Sequence, residues 1–106
     1  MSELPITKNE YDKSVILINF LSEFKLKTKD NKKIENVVFL PENQGYRITF
    51  YYNNVSSVIL LTLNKSKFTV KMKVEYIKGN EETKTFLSKS KEDNQEILNL
   101  ILPNEN

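Results

Sequence analysis

From Tyr46 to Leu87 this chain is patterned largely with apolar residues at every second position, with the middle segment Val58 to Leu61 apolar throughout, and Asn53-Asn54, Lys65-Ser66 and Gly79-Asn80 interrupt the pattern at short intervals. Period-two alternation marks strands with one buried face, and a tight turn fixes which residues of its flanking strands face each other. With Asn53-Asn54 as a turn, Tyr52 faces Val55, Phe50 faces Ser57, Ile48 faces Ile59 and Tyr46 faces Leu61. Asparagine suits the left-handed backbone that such a turn requires. With Lys65-Ser66 as the next turn, Leu63 faces Phe68, Leu61 faces Val70, Ile59 faces Met72 and Ser57 faces Val74. With Gly79-Asn80 as the third, Tyr76 faces Thr83, Val74 faces Thr85 and Met72 faces Leu87.

These registers are mutually consistent. They put Tyr46, Ile48, Phe50, Tyr52, Ile59, Leu61, Leu63, Phe68, Val70, Met72, Val74 and Tyr76 on one face. A slip of one residue would turn a whole strand over, so the agreement constrains the sheet strongly. A further strand over about residues 34 to 40 precedes the meander through a loop from Pro41 to Gly45. Its register stays open, because Val37 and Phe39 alternate with Val38 and Leu40.

A helix is predicted at each end. Thr7-Lys8-Asn9-Glu10 has the form of a capping box, giving a helix over about residues 8 to 26. At 100° per residue, Tyr11, Val15, Leu17, Ile18, Leu21, Phe24 and Leu26 form a broad face expected to lie on the sheet. Ile16 and Phe20 form a second ridge among polar residues, which requires cover from another element, such as the C-terminal helix, or from a partner. The C-terminal helix is predicted over about residues 91 to 102, with Ser90 as N-cap, Glu92 and Asp93 in its first turn and Pro103 ending it. Ile97, Leu98, Leu100, Ile101 and Leu102 cover more than half its circumference, so it reads as buried or contacted on two sides. The fold class is therefore α+β: one compact two-layer domain, residues 1–106, with an N-terminal helix, a five-stranded antiparallel meander and a C-terminal helix.

Composition excludes much enzyme chemistry. The chain has no histidine, no cysteine and a single arginine, Arg47. Ser-His-Asp and Cys-His nucleophile pairs, thiolate-bound zinc, iron–sulfur clusters and disulfides cannot come from this chain alone. Gly45 and Gly79 are the only glycines, so there is no glycine-rich phosphate loop. Asp30-Asn31 lacks the ligand succession of a calcium loop and reads as turn chemistry. Glu81 and Glu82 would point to opposite faces of a strand and read as a solvated hairpin end. No catalytic residue, metal or cofactor is expected. Asn54-Val55-Ser56 and Asn64-Lys65-Ser66 match the glycosylation pattern, but the start of the sequence has no secretion signal, and both read as asparagine-rich turns. No apolar run approaches the roughly 20 residues of a membrane helix, so the expectation is a cytoplasmic protein without membrane contact.

The function is sought on the second sheet face. The same registers place there Arg47, Thr49, Tyr51, Ser56, Val58, Leu60, Thr62, Thr69, Lys71, Lys73, Glu75, Ile77, Lys84 and Phe86. In this arrangement Leu60 faces Lys71, Val58 faces Lys73 and Glu75 faces Lys84. One reading is a solvated sheet surface. A second is a protein-binding face, with Tyr51, Val58, Leu60 and Phe86 as apolar anchors and Arg47, Lys71, Lys73 and Lys84 as a cationic rim. A third is single-stranded nucleic acid or another polyanion held by cations and aromatic rings, against which stand the net charge of only +2 and Glu75 on the face. The preferred expectation is a non-catalytic protein-binding module, an inhibitor or adaptor, acting through the outer sheet face or the Ile16/Phe20 ridge. Homodimerisation is compatible with either surface. Lysine in place of arginine and abundant asparagine fit an AT-rich genome, and the small size suits a mobile genetic element, by association alone.

Overall fold

A computed structural model describes the backbone of residues 5–65 and 70–103, and side chains for residues 15–64 and 70–103. The order is α1 (Pro5–Asp30), β1 (Ile34–Glu42), β2 (Gly45–Tyr52), β3 (Val55–Lys65), β4 (Val70–Lys78), β5 (Lys84–Ser88) and α2 (Lys91–Ile101). The strands form one open antiparallel sheet in the order β1-β2-β3-β4-β5. The α+β architecture read from the sequence is the architecture observed.

The β2–β3 hairpin has the predicted register: Tyr52 faces Val55, Ile48 faces Ile59 and Tyr46 faces Leu61. Asn53 and Asn54 take φ of 55° and 67°, the two left-handed residues of a twist-matched hairpin turn. The β3–β4 hairpin slips by an even number. Leu63 faces Met72 rather than Phe68, and Lys65 faces Val70. The strands stay paired as far as Lys65, so Lys65 belongs to β3 rather than to a turn; Ser66, Phe68 and Thr69 lie outside the described residues. An even slip changes partners but leaves each residue on its face. Ile59, Leu61, Leu63, Met72, Val74 and Tyr76 are all buried on the inner side as expected.

The β4–β5 hairpin slips by an odd number. Met72 faces Ser88 and Val74 faces Phe86, so β5 is turned over relative to the prediction. Gly79-Asn80 does turn, with Glu81 N–H donating to Lys78 C=O at 2.9 Å, but pairing resumes only at Lys84. β1 meets β2 with Phe39 facing Ile48 and Val38 facing Thr49, after an irregularity between Glu35 and Val38. Asn36 there has φ 54°, and it forms with Val37 a bulge that leaves Ile34 and Phe39 both on the inner side. β1 runs on through Pro41 to Glu42, so the predicted Pro41–Gly45 loop shrinks to Asn43-Gln44.

Both helices lie on the inner face, where Ile16, Phe20, Phe24, Ile97, Leu98, Ile101 and Leu102 join the buried strand residues in one cluster. The face expected for α1 is corrected here. The covered ridge is Ile16, Phe20 and Phe24, spaced four residues apart, while Ile18 and Leu26 face outward. Phe24 meets Phe39 and Phe50 edge-on, with centroids 6.0 and 5.4 Å away. A polar side chain makes this orientation feasible. Asn94 of α2, fully buried, donates to Ile16 C=O at 3.1 Å and to Asn19 Oδ1 at 2.8 Å, and accepts from Ser88 Oγ. It joins α2 to α1 and to the end of β5, covering the Ile16/Phe20 side from within the chain. Helix α1 begins at Pro5, so the backbone at Thr7 is already helical and Thr7 is not the N-cap; its side chain and those of Glu10 and Tyr11 lie outside the described residues. Helix α2 has the predicted cap, Asp93 N–H donating to Ser90 Oγ at 3.1 Å, but Leu100 is exposed, so α2 is buried along one side only.

Candidate functional site: the outer sheet face

The observed registers arrange the outer face in rows across the strands. One row reads Leu40, Arg47, Leu60, Glu75, Thr85. The row on one side of it reads Val38, Thr49, Val58, Ile77. On its other side lies Glu42, Gly45, Thr62, Lys73, Leu87, and beyond that Asn64 beside Lys71. Among the described residues no helix covers these rows, since the buried parts of both helices belong to the inner cluster.

Of the predicted site residues, Arg47, Tyr51, Val58, Leu60, Lys71 and Lys73 do share this face. Lys84 and Phe86 do not. Phe86 faces Val74 on the inner side and lies partly buried against the core, and Lys84 faces Tyr76 at the sheet end. The physical reason is the odd slip of β5, which brings Thr85 and Leu87 outward in their place. Ile16 and Phe20 are likewise corrected as an interface, because both are core residues, Phe20 with no exposure at all. The expected cross-strand pairs also change: Leu60 faces Glu75, Val58 faces Ile77, and Glu75 faces Thr85 rather than Lys84.

The face is more apolar than expected. Val38, Leu40, Tyr51 and Leu87 are exposed at 44, 38, 45 and 54 %. Val58, Leu60 and Ile77 lie half-buried between them. Val38 and Leu40 could not be assigned from sequence, because they depend on the β1 bulge, and Leu87, expected opposite Met72 on the inner face, is turned outward by the β5 slip beside Lys73. By contrast, the outward apolar residues of the helices stand singly: Ile18 and Leu26 are separated by Ser22 on their ridge, and Leu100 follows Glu96. Isolated exposed side chains are ordinary; a contiguous strip is not.

The charges divide across the face. Glu35 and Glu42 lie on β1, Arg47 on β2, and Lys71, Lys73 and Glu75 on β4, while the outward residues of β3 (Ser56, Val58, Leu60, Thr62, Asn64) are uncharged. Arg47 Nε lies 3.2 Å from Glu42 Oε2 but out of line for a hydrogen bond, and this nitrogen is shielded from solvent without a hydrogen-bond partner. A half-exposed ion pair of this kind contributes about 0–1 kcal/mol. Gly45 needs to be glycine, since a Cβ there would lie 1.7 Å from Leu61 C=O, and it is buried in its row beside Thr62.

Elsewhere the chemistry is sparse. A cleft of about 290 Å³ is lined by Val15, Ile16, Val70, Lys89, Ser90 and Lys91, with no carboxylate among the described residues that line it. Backbone donors near it are used internally, Asp93 N–H by Ser90 and Lys89 N–H by Asp93 Oδ2 at 2.9 Å. Among the described residues no three acidic side chains gather as metal ligands. Tyr76 has its pKa raised above 10.0 by burial, partly offset by its hydrogen bond with Ser57, in the closed interior rather than in a cleft. Asn64 lies within β3, not in a turn, whereas Asn31 does form one, its Oδ1 accepting from Lys33 N–H at 3.0 Å. No described helix is long and apolar enough to cross a membrane. No family model, curated protein or solved structure matches this chain.

Proposed function

We propose that this chain is a non-catalytic protein-binding module, an inhibitor or adaptor, whose contact surface is the outer face of the sheet. The observation that carries this reading is the strip of Val38, Leu40, Tyr51, Val58, Leu60 and Ile77 on a sheet face with no cover among the described residues. Such a strip is the apolar centre of an interface, and Arg47, Glu42, Lys73 and Glu75 supply a rim of both signs. A mixed rim suits a protein better than a polyanion. The nucleic-acid reading also loses Lys84 and Phe86 from the face, leaving Tyr51 as its only aromatic side chain among the described residues.

Affinity capture from the native host tests the reading, with wild-type and Leu60→Asp baits compared at equal loading. A protein retained by the wild type and lost with Leu60→Asp, while circular dichroism of the two baits agrees, supports the face. An unchanged set of retained proteins overturns it.

A further inference from the structure

The outer face has an antisymmetry in its charges that points to one occupant. Leu60 on the central strand β3 has Arg47 beside it on β2 and Glu75 beside it on β4. Thr62 has Gly45 on the β2 side and Lys73 on the β4 side, with Glu42 one strand beyond Gly45. A positive position on one side of β3 thus matches a negative one at the same height on the other side, and the Lys73 position matches an uncharged glycine. β3 itself is uncharged on this face.

Resting on the binding reading above, we infer that the occupant is a second copy of this chain, docked face to face about a two-fold axis running along β3. Such an axis exchanges β2 with β4 at constant height. It brings Arg47 of each copy over Glu75 of the other, Lys73 over Gly45 with Glu42 on the adjoining strand, and Thr49 over Ile77. Val58 and Leu60 meet their own copies on the axis. No like charges are opposed in these pairings, and isologous contact requires that self-complementarity. Two sheets packed this way lie about 10 Å apart with β3 and its copy nearly parallel, within the range of an aligned sandwich. Strands spaced about 4.8 Å apart and about 25 Å long give a five-stranded face on the order of 500 Å² in projection. That scale is compatible with the roughly 800 Å² of accessible surface that each partner buries in a standard interface, since side-chain relief adds to the projection.

A charge-swap cycle read by sedimentation equilibrium tests the inference on the full chain. Wild type should sediment at twice the 12.4 kDa chain mass. Arg47→Glu and Glu75→Arg should each weaken the dimer by about 100-fold, because like charges then oppose across the axis, and the double variant should restore it. Val58→Glu, which sets a carboxylate against its own copy, should also dissociate it. A wild type that stays at single mass, single swaps that leave the dimer intact, or a double variant that stays dissociated while folded overturns the second copy as occupant. If wild type is monomeric but Leu60→Asp still removes a captured protein, the binding face stands and only its assignment to a second copy falls. If neither assembly nor capture responds, both fall.

Discussion

The two faces of the sheet are built from the same strands and differ only in alternate residues, yet one is closed and the other open. On the inner face Ile48, Ile59, Met72 and Val74 have no exposure, and Phe20, Phe24 and Leu98 of the helices fill the space above them. On the outer face Gly45 is the one buried position among the described residues, and Val38, Leu40, Tyr51 and Leu87 remain exposed, with charges of both signs among them. The inner face is specified by volume, so its chemistry is uniform. The outer face is specified by which side chains adjoin, so its chemistry depends on register. Stability is expected to reside in the first and recognition in the second.

The largest effect that would break this contrast is a truncation compared across the sheet. Phe20→Ala should destabilise the monomer by about 3–5 kcal/mol in chemical denaturation, against under about 1 kcal/mol for Leu60→Ala. Equal losses would mean that the outer face is also core. A smaller loss, about 2–3 kcal/mol, is expected from Asn94→Ala, which strips the buried partner from Ser88 and Asn19, whereas Arg47→Ala should change monomer stability by no more than about 1 kcal/mol. Reversal of that order would place the important polar contact on the wrong face. The turn that sets both faces offers a third comparison: Asn54→Ala at φ 67° should lose about 1–2 kcal/mol and Asn54→Gly almost nothing.

The smallest effect is a pH dependence confined to the inner face. Burial raises the pKa of Tyr76 above 10.0, so the unfolded chain releases this proton first as pH rises. The stability held by neutral Tyr76 is complete below pH 10 and declines as pH climbs from there through the folded-state pKa. Tyr76→Phe should remove that part of the alkaline slope in urea unfolding. An unchanged slope would place the origin elsewhere.

The same contrast explains what was legible in the sequence. Asn53-Asn54 fixed one hairpin to the residue, because its two left-handed positions leave no choice of register. The β3–β4 slip did no harm to the inner face, since an even shift preserves facing, but it reassigned the neighbours of Leu60 and Val58. The odd slip of β5 exchanged Phe86 for Leu87 outside, and a one-residue difference in the stretch between Gly79-Asn80 and Lys84 leaves no periodic signal before the strand begins. β1 could not be placed because Asn36 in a bulge resets its alternation. The α1 ridge was misassigned because Asn19 and Asn94 find each other across 75 positions of sequence, allowing a side with polar residues to be buried. Core position was therefore more legible than site composition: the former needs only parity, the latter the full register.

Hydroxyl-radical footprinting of the full chain, dilute and then in its assembled or captured state, tests most directly whether the outer face is the contact surface. Leu40, Tyr51, Leu60 and Leu87 should lose labelling on assembly, while Ile18, Leu26 and Leu100 on the helices keep theirs. Protection of the helix residues, with the sheet residues labelled as in the dilute chain, would contradict the account.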